Sequence, residues 1–356
     1  MIINRNIIIT KIWQIVFLFK KVLYQPTDEG KAKNNRVELY KNIWREAAES
    51  LGVEYKLLDY GFIELTSKHK STIVIDAHSE IDNFVTHQVI SNKPLCHKRL
   101  MAKNIPVPEH IIFDVFDGFD KAEKFLHQVS SEIVVKPAIG TGAGMGVTTG
   151  IKTVSELRRA VAFSSLGRQS KLIAEKMVPG DCYRFLYLDG KLLDVVVRHP
   201  PSIIGDGKST IDTLIKRDLK ERYQQNAVTA LGEIKKDLEF QITLKSQGLT
   251  VRSVLKQDEK VILKKVINDG SSRDSKSVLS SVCEELAQEG AKAARVLGAR
   301  FAGVDIITSN LSVSLKESGG VVLEVNASPG LHLHYLTQNP GKPPALALLK
   351  CLLAAD

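Results

Sequence analysis

Apolar and polar positions divide the chain into short elements of both kinds. VELYKNIWREAAESLG (37–52) carries apolar residues at helical spacing, which predicts a helix over 37–51 closed by Gly52. The runs VEYKLLD and STIVIDA follow as short strands, so the chain opens as a small α/β unit that ends near Ser91. Two prolines in IPVPEHIIFD set an extended entry to the next strand. Residues 118–129 predict a helix, EIVVKP a buried strand, 153–166 a helix and KLIAEKMV a strand. CYRFLYLDGKLLDVVVRHP is the clearest signal: two apolar runs flank Asp189-Gly190, the pair a two-residue hairpin turn requires. A long helix over 278–297, the strands FAGVDII and VVLEVNA, and a helix over 343–354 complete the chain. The expected class is a mixed α/β and α+β fold, and the hairpin argues against a purely parallel nucleotide-binding sheet.

Length and composition leave that picture in place. A chain of 356 residues has room for two or three domains, and 44% apolar with 25% charged residues is ordinary for a globular protein. The net charge of +9 raises nucleic acid as a partner. Aromatics do not interleave with the basic runs, so a solvated basic face is the reading preferred and no nucleic-acid partner is expected. The four cysteines fall at neither metal nor redox spacing, which points to a reduced, cytoplasmic setting. The apolar N-terminal stretch NIIITKIWQIVFLFKK is interrupted by Lys11 and Gln14 and is too short to span a bilayer. It reads as a packing segment or a subunit contact rather than a membrane-lying helix anchored by Trp13, Phe17 and Phe19.

The chemistry begins at VVKPAIGTGAGMGV. Glycines at 140, 142, 144 and 146 alternate. This spacing fits neither the dinucleotide fingerprint nor the GxxxxGK[ST] loop, and GDGKST at 205–210 also lacks the first glycine of the latter. Alternate glycines suggest a hairpin flap whose backbone N–H groups close over phosphate oxygens, with Lys136 just before it as a point charge. Far downstream, Glu324 and Asn326 sit two apart on one predicted strand and so share a face, with Asp305 on another strand nearby. Two carboxylates and an amide oxygen make a hard oxygen site suited to magnesium bridging nucleotide phosphates.

In order along residues 50 to 350, the stretches IPVPEHIIF, VVKPAIGTGAGMGV, AEKMVPGDCYRFLYLDGKLL, VVRHPPSIIGDGKSTIDTLI, FAGVDII and VVLEVNASPGLHLH resemble the ATP-grasp superfamily. Within it they resemble the ligase domains of cyanophycin synthetase and of the bifunctional glutathione-synthesising enzyme. The resemblance implies an N-terminal pre-ATP-grasp unit over 1–91, a small subdomain over 92–174 bearing the flap, and a large subdomain over 175–356, with ATP bound between the last two. It implies nucleotide contacts from Lys98, Lys136, Gly140, Gly142, Gly144, Met145, Gly146, Glu175, Lys176, Met177, Val178 and Asp181. Magnesium, as two ions with manganese as a substitute, would sit on Asp305, Glu324 and Asn326. Lys264, Arg184 and Arg198 would act at the reacting centre, and Asn268, His332 and His334 would line the substrate pocket, at least one histidine being merely structural. Strict alternation across the 189–190 turn sets Arg184 and Arg198 on opposite faces, unless a bulge intervenes.

Three positions depart from the family pattern. His97 stands where the early phosphate-facing lysine falls, with Lys98 beside it; Lys264 replaces an arginine; and NDGSSR loses two glycines of the substrate loop. The implied activity is an ATP-dependent carboxylate–amine ligase for amino acids or a short peptide, working through an acyl phosphate. The chain carries none of the extra catalytic domains of those two relatives, so it reads as a stand-alone ligase and is expected to be a homodimer. An ATP-binding regulator or scaffold without turnover is the alternative.

Overall fold

A computed structural model describes residues 5–23, 29–140, 144–167, 170–224, 234–267 and 275–354. Helix α1 (Arg5–Leu23) is followed by α2 (Glu29–Leu51), the strands β1 (Glu54–Leu57), β2 (Ile63–Thr66) and β3 (Ser71–Val74), and α3 (Phe84–Ser91). Then come α4 (Lys93–Met101), β4 (His110–Asp114), α5 (Phe119–Gln128), β5 (Ile133–Pro137), β6 (Thr148–Ile151), α6 (Val154–Ser164) and β7 (Lys171–Lys176). The remainder is β8 (Asp181–Leu188), β9 (Lys191–Arg198), β10 (Ser202–Ile204), α7 (Ile211–Gln224), α8 (Leu238–Ser246), β11 (Lys260–Ile262), β12 (Lys276–Ser277), α9 (Glu284–Leu297), β13 (Phe301–Thr308), α10 (Leu315–Ser318), β14 (Val321–Ala327), α11 (His332–Tyr335) and α12 (Pro344–Leu353).

Two sheets frame the molecule. One has four strands in the order β4-β7-β5-β6, the other five in the order β12-β9-β8-β13-β14. Every pairing in both is antiparallel, as the hairpin signal implied. β7 stays in the four-stranded sheet through Lys176, so that sheet runs past the expected 174/175 division. Local chemistry explains the helix starts that matter. A Thr153–Glu156 capping box opens α6. Asn92 caps α4, with Pro94 in the first turn.

The helix expected over 37–51 starts earlier, at Glu29, and the strand pair expected before Ser91 gains a middle strand, β2. This small unit does not have a core to itself. Trp44, Ile63 and Leu65 share one cluster with Leu348 of α12 and with Leu186 and Phe301 of the five-stranded sheet. That shared core brings α2 up against the large sheet, and with it the side chains of Arg36 and Tyr40. The N-terminal stretch is a packing segment: Phe17 is buried, and Phe17 and Trp13 belong to the core around the small sheet and α6. No helix among the described residues is long and apolar enough to cross a membrane.

One irregularity decides the geometry of the site. Asp189 and Gly190 both have positive φ (48° and 78°), as a two-residue hairpin turn needs. The ladder then shifts between Leu186 and Tyr187, whose partners are Asp194 and Leu192. Leu193 is therefore an extra residue, a β-bulge, and every side chain beyond it changes face. Arg198 pairs with Cys182 and Val196 with Arg184, which puts Arg184 and Arg198 on the same face. The expectation of opposite faces held only for an unbroken ladder.

Candidate functional site

A cleft of ≈ 420 Å³ lies between the two sheets. Its floor is the five-stranded sheet. Arg184 bridges Asp305 with both ends of its guanidinium, Nε to Oδ1 at 2.5 Å and Nη2 to Oδ2 at 3.0 Å, and Arg198 Nη1 lies 3.7 Å from Oδ1. Gly303 makes room for this: a Cβ there would meet Pro329 at 2.7 Å and the Arg184 Cδ at 2.9 Å. Glu324 sits directly across from Asp305 in the β13–β14 register. Asn326 donates from Nδ2 to Asp305 Oδ2 at 3.2 Å and to Gly303 O at 3.3 Å, which turns its Oδ1 away from both. Burial would raise the Asp305 carboxyl, but the two guanidiniums and Asn326 hold it below its usual value of 3.8.

The three residues expected to carry metal thus converge on one wall. Among the described residues no group of three His, Cys, Asp or Glu side chains is arranged to hold a metal ion, and this wall offers two carboxylates and an amide oxygen. That donor set fits magnesium, which binds through one or two carboxylates and takes its remaining ligands from water and phosphate.

The other wall is the small sheet. Lys136 pairs with Glu175 at 2.8 Å, both nearly fully buried. His97 Nε2 lies 3.8 Å from the other Glu175 oxygen, which has no hydrogen-bond partner among the described residues. Gly144, Lys176, Met177 and Val178 also line the cleft. The amides of Lys176 and Met177 are already bonded to Glu109 and Glu132 carbonyls. Gly140 and Gly146 keep positive φ, and Met145 is exposed. Gly142 lies outside the described residues. The flap is anchored through Thr149, whose amide and hydroxyl each reach the wholly buried Glu239 at 2.6 Å.

Several expected positions fall elsewhere, for simple geometric reasons. Lys98 is exposed; Lys93, one helical turn before His97, shares the inner face with it and approaches Glu324 at 3.6 Å. Lys264 is buried against Asp237 at 2.9 Å and is not on the cleft wall. Its neighbour Lys265 is, with Nζ 2.5 Å from Glu132 and its amide on Glu239. Asp181 is exposed at the start of β8 and bonds Tyr183, while Gly180 and Cys182 take the lining position. Burial pushes the Cys182 thiol up to about 12, which leaves it protonated and unreactive. Asn268 lies outside the described residues.

The two histidines divide. His334 is buried off the cleft, its Nδ1 2.7 Å from Asp194. His332 is on the wall, with Nδ1 3.1 Å from the Tyr40 hydroxyl. Arg36 sits over the Tyr40 ring at 5.4 Å and grips Asp76 by Nε (2.9 Å) and Nη2 (2.8 Å). Nothing in the spacing of α2 announced Arg36 as a cleft residue or Tyr40 as the buried partner of His332, because a long-range packing contact brings them there.

Burial holds three histidines neutral: His97 is pushed down to about 4, His332 to about 3, and His334 below its usual 6.5 despite Asp194. The unfolded chain takes up protons at these sites below pH 6.5 and the folded chain does not. Their contribution is therefore complete above pH 6.5 and is lost as pH falls toward 4. By pH 5 the loss is about 2 kcal/mol for each strongly shifted histidine. Urea unfolding should show a lower midpoint at pH 5 than at pH 7.5; equal midpoints would contradict the burial of neutral imidazoles.

No family model matches the chain. Similarity to curated proteins is extensive. The glutathione biosynthesis bifunctional protein of Clostridium perfringens is 28% identical over 289 residues, 80% of this chain and 37% of that protein. Cyanophycin synthetase of Synechocystis is 30% identical over 241 residues, 66% of this chain and 27% of that protein. The chain thus spans less than half the length of these relatives. Among solved structures, a bifunctional glutathione synthetase from Pasteurella multocida superposes with a TM-score of 0.57 at 22% identity, covering 88% of this chain and 43% of that one. That likeness bears on the fold alone.

Proposed function

We propose that this chain, which belongs to the ATP-grasp superfamily, is an ATP-dependent carboxylate–amine ligase joining amino acids or a short peptide. The observation that carries the reading is the convergence of Asp305, Glu324 and Asn326 on one wall of a cleft whose other wall holds Lys136 and the flap. A free carboxylate does not form an amide in water because its leaving group is poor. Transfer of the ATP γ-phosphoryl group to a carboxylate oxygen, with ADP leaving, converts it into an acyl phosphate. An amine nitrogen then attacks the acyl carbon, phosphate leaves and the nitrogen loses a proton.

The chain's own groups serve that sequence by position and charge. Lys136 is placed to leave Glu175 for the phosphates, and the freed carboxylate, already short of one hydrogen bond, suits a donor on the nucleotide. Lys93 and Lys265 add positive charge at the two ends of the phosphate path. Lys265 takes the part that the sequence assigned to Lys264. Arg184 and Arg198, brought to one face by the bulge, stand beside the metal carboxylate where the oxygens react. Gly140, Gly144 and Gly146 let the flap close and keep water from the acyl phosphate. Magnesium on Asp305, Glu324 and Asn326 would neutralise charge on the transferring phosphoryl group. We read the site as taking two such ions, with manganese able to replace them, in a cytoplasmic homodimer. The test is amine-dependent ADP release over a panel of amino-acid and dipeptide pairs, with mass spectrometry for the new amide. ADP release that ignores the amine, with no amide formed, would refute the reading.

A further inference from the structure

The cleft is more basic than Mg·ATP requires. Seven lysine and arginine side chains line it against three carboxylates among the described residues, and two of the seven, Arg36 and Lys265, are paired with Asp76 and Glu132 outside the lining. ATP with two magnesium ions carries no net charge at neutral pH, so the cationic surplus remains for the acid substrate. One reacting carboxylate does not use it all. The arginines are also not all at the metal. Arg36, Arg184 and Arg198 lie close enough around His332 that each helps to suppress its protonation, after burial itself. Arg36 comes from α2, a different element from β8 and β9, which carry Arg184 and Arg198.

Its side chain is pre-set. Asp76 holds the Nε–Nη2 edge, and Asp76 is itself fixed in a left-handed turn (φ 53°) with its carbonyl bonded by Trp44 Nε1 at 2.9 Å. Tyr40 supports the guanidinium plane from below. The Nη1 edge makes no hydrogen bond among the described residues. A guanidinium so held presents a fixed pair of donors, the arrangement suited to an incoming carboxylate. His332, kept neutral by burial and spent on the Tyr40 hydroxyl, adds no competing charge.

We propose that Arg36 forms an anion subsite for a second carboxylate of the acid substrate. The ligase would then take a dicarboxylic amino acid, or a short peptide retaining another free carboxylate, with the reacting end turned toward Arg198. This rests on the ligase reading, and the experiment separates the two. Calorimetry on the Mg·ADP-loaded chain would compare malonate, succinate, glutarate and adipate with their monoamides, which keep shape and lose one charge. At least one dicarboxylate should bind about tenfold more tightly than its monoamide, the usual scale of a lost charged hydrogen bond.

Arg36→Gln should erase that preference while Mg·ADP affinity stays unchanged, and Arg36→Lys should restore part of it. If Arg36→Gln does not fold, Asp76→Asn, which releases the guanidinium edge, should weaken the preference in the same direction. A wild-type chain that binds Mg·ADP but treats acids and monoamides alike, or a variant that keeps the preference, overturns the subsite. A wild-type chain that does not bind Mg·ADP overturns the ligase reading and the subsite with it.

Discussion

Glu324→Gln is expected to lower amine-dependent ADP release by about 10² to 10³-fold, with little change in the urea midpoint. The residue stands opposite Asp305, so the substitution removes one of the two carboxylates proposed to hold magnesium. Loss of one such electrostatic element costs about that factor in well-studied sites. The side chain is 34% exposed and its contact to the buried Lys93 is long, 3.6 Å, so its neutralisation costs little stability. The magnesium concentration needed for half-maximal release should rise along with the loss. A variant with wild-type rate and wild-type magnesium response would remove Glu324 from the metal site.

Asp305→Asn should instead cost stability and activity together. Asp305 is 4% exposed and balances Arg184 and Arg198. Without its charge, the buried Arg184 loses its bidentate carboxylate and Arg198 loses one carboxylate contact, a change that typically destabilises by about 3 to 5 kcal/mol. The pH dependence has a definite sign. The folded carboxyl is held below 3.8, so its contribution is complete above that value and is lost only as pH falls below it. The difference in unfolding free energy between wild type and variant should be flat from pH 5 to 8 and shrink below pH 4. A difference below about 1 kcal/mol at pH 7 would mean that the arginines find other partners.

The parts of this site readable in the sequence are those set by local geometry. Glu324 and Asn326 share a face because strands alternate. The Asp189–Gly190 turn is dictated by two residues that tolerate positive φ, and the antiparallel sheet follows from it. What alternation could not supply was the count of residues along β9. One extra residue, Leu193, moves Arg198 to the face of Arg184, and no side-chain type marks a bulge of that kind.

Single-residue phase also separates Lys265 from Lys264, and helical phase separates Lys93 from Lys98. Lys265 is one position from the expected lysine and Lys93 is five positions, about a turn and a half of helix, from it. Arg36 and Tyr40 were out of reach altogether. Arg36 lines the cleft, with Tyr40 buried behind it, only because α2 packs on α12 and the large sheet, a contact between segments some 300 residues apart. Local pattern carries no trace of such pairing. Of the expected positions, Asn268 and Gly142 lie outside the described residues.

The central claim is that the substrate carboxylate is activated by phosphorylation in the cleft between the two sheets. Once the panel has identified a substrate pair, the acid is prepared with its reacting carboxylate labelled with ¹⁸O, and the products of a single turnover are examined by mass spectrometry. The account predicts one labelled oxygen in the released inorganic phosphate, with ADP as the nucleotide product. Unlabelled phosphate, or label appearing in AMP alongside pyrophosphate, would contradict it.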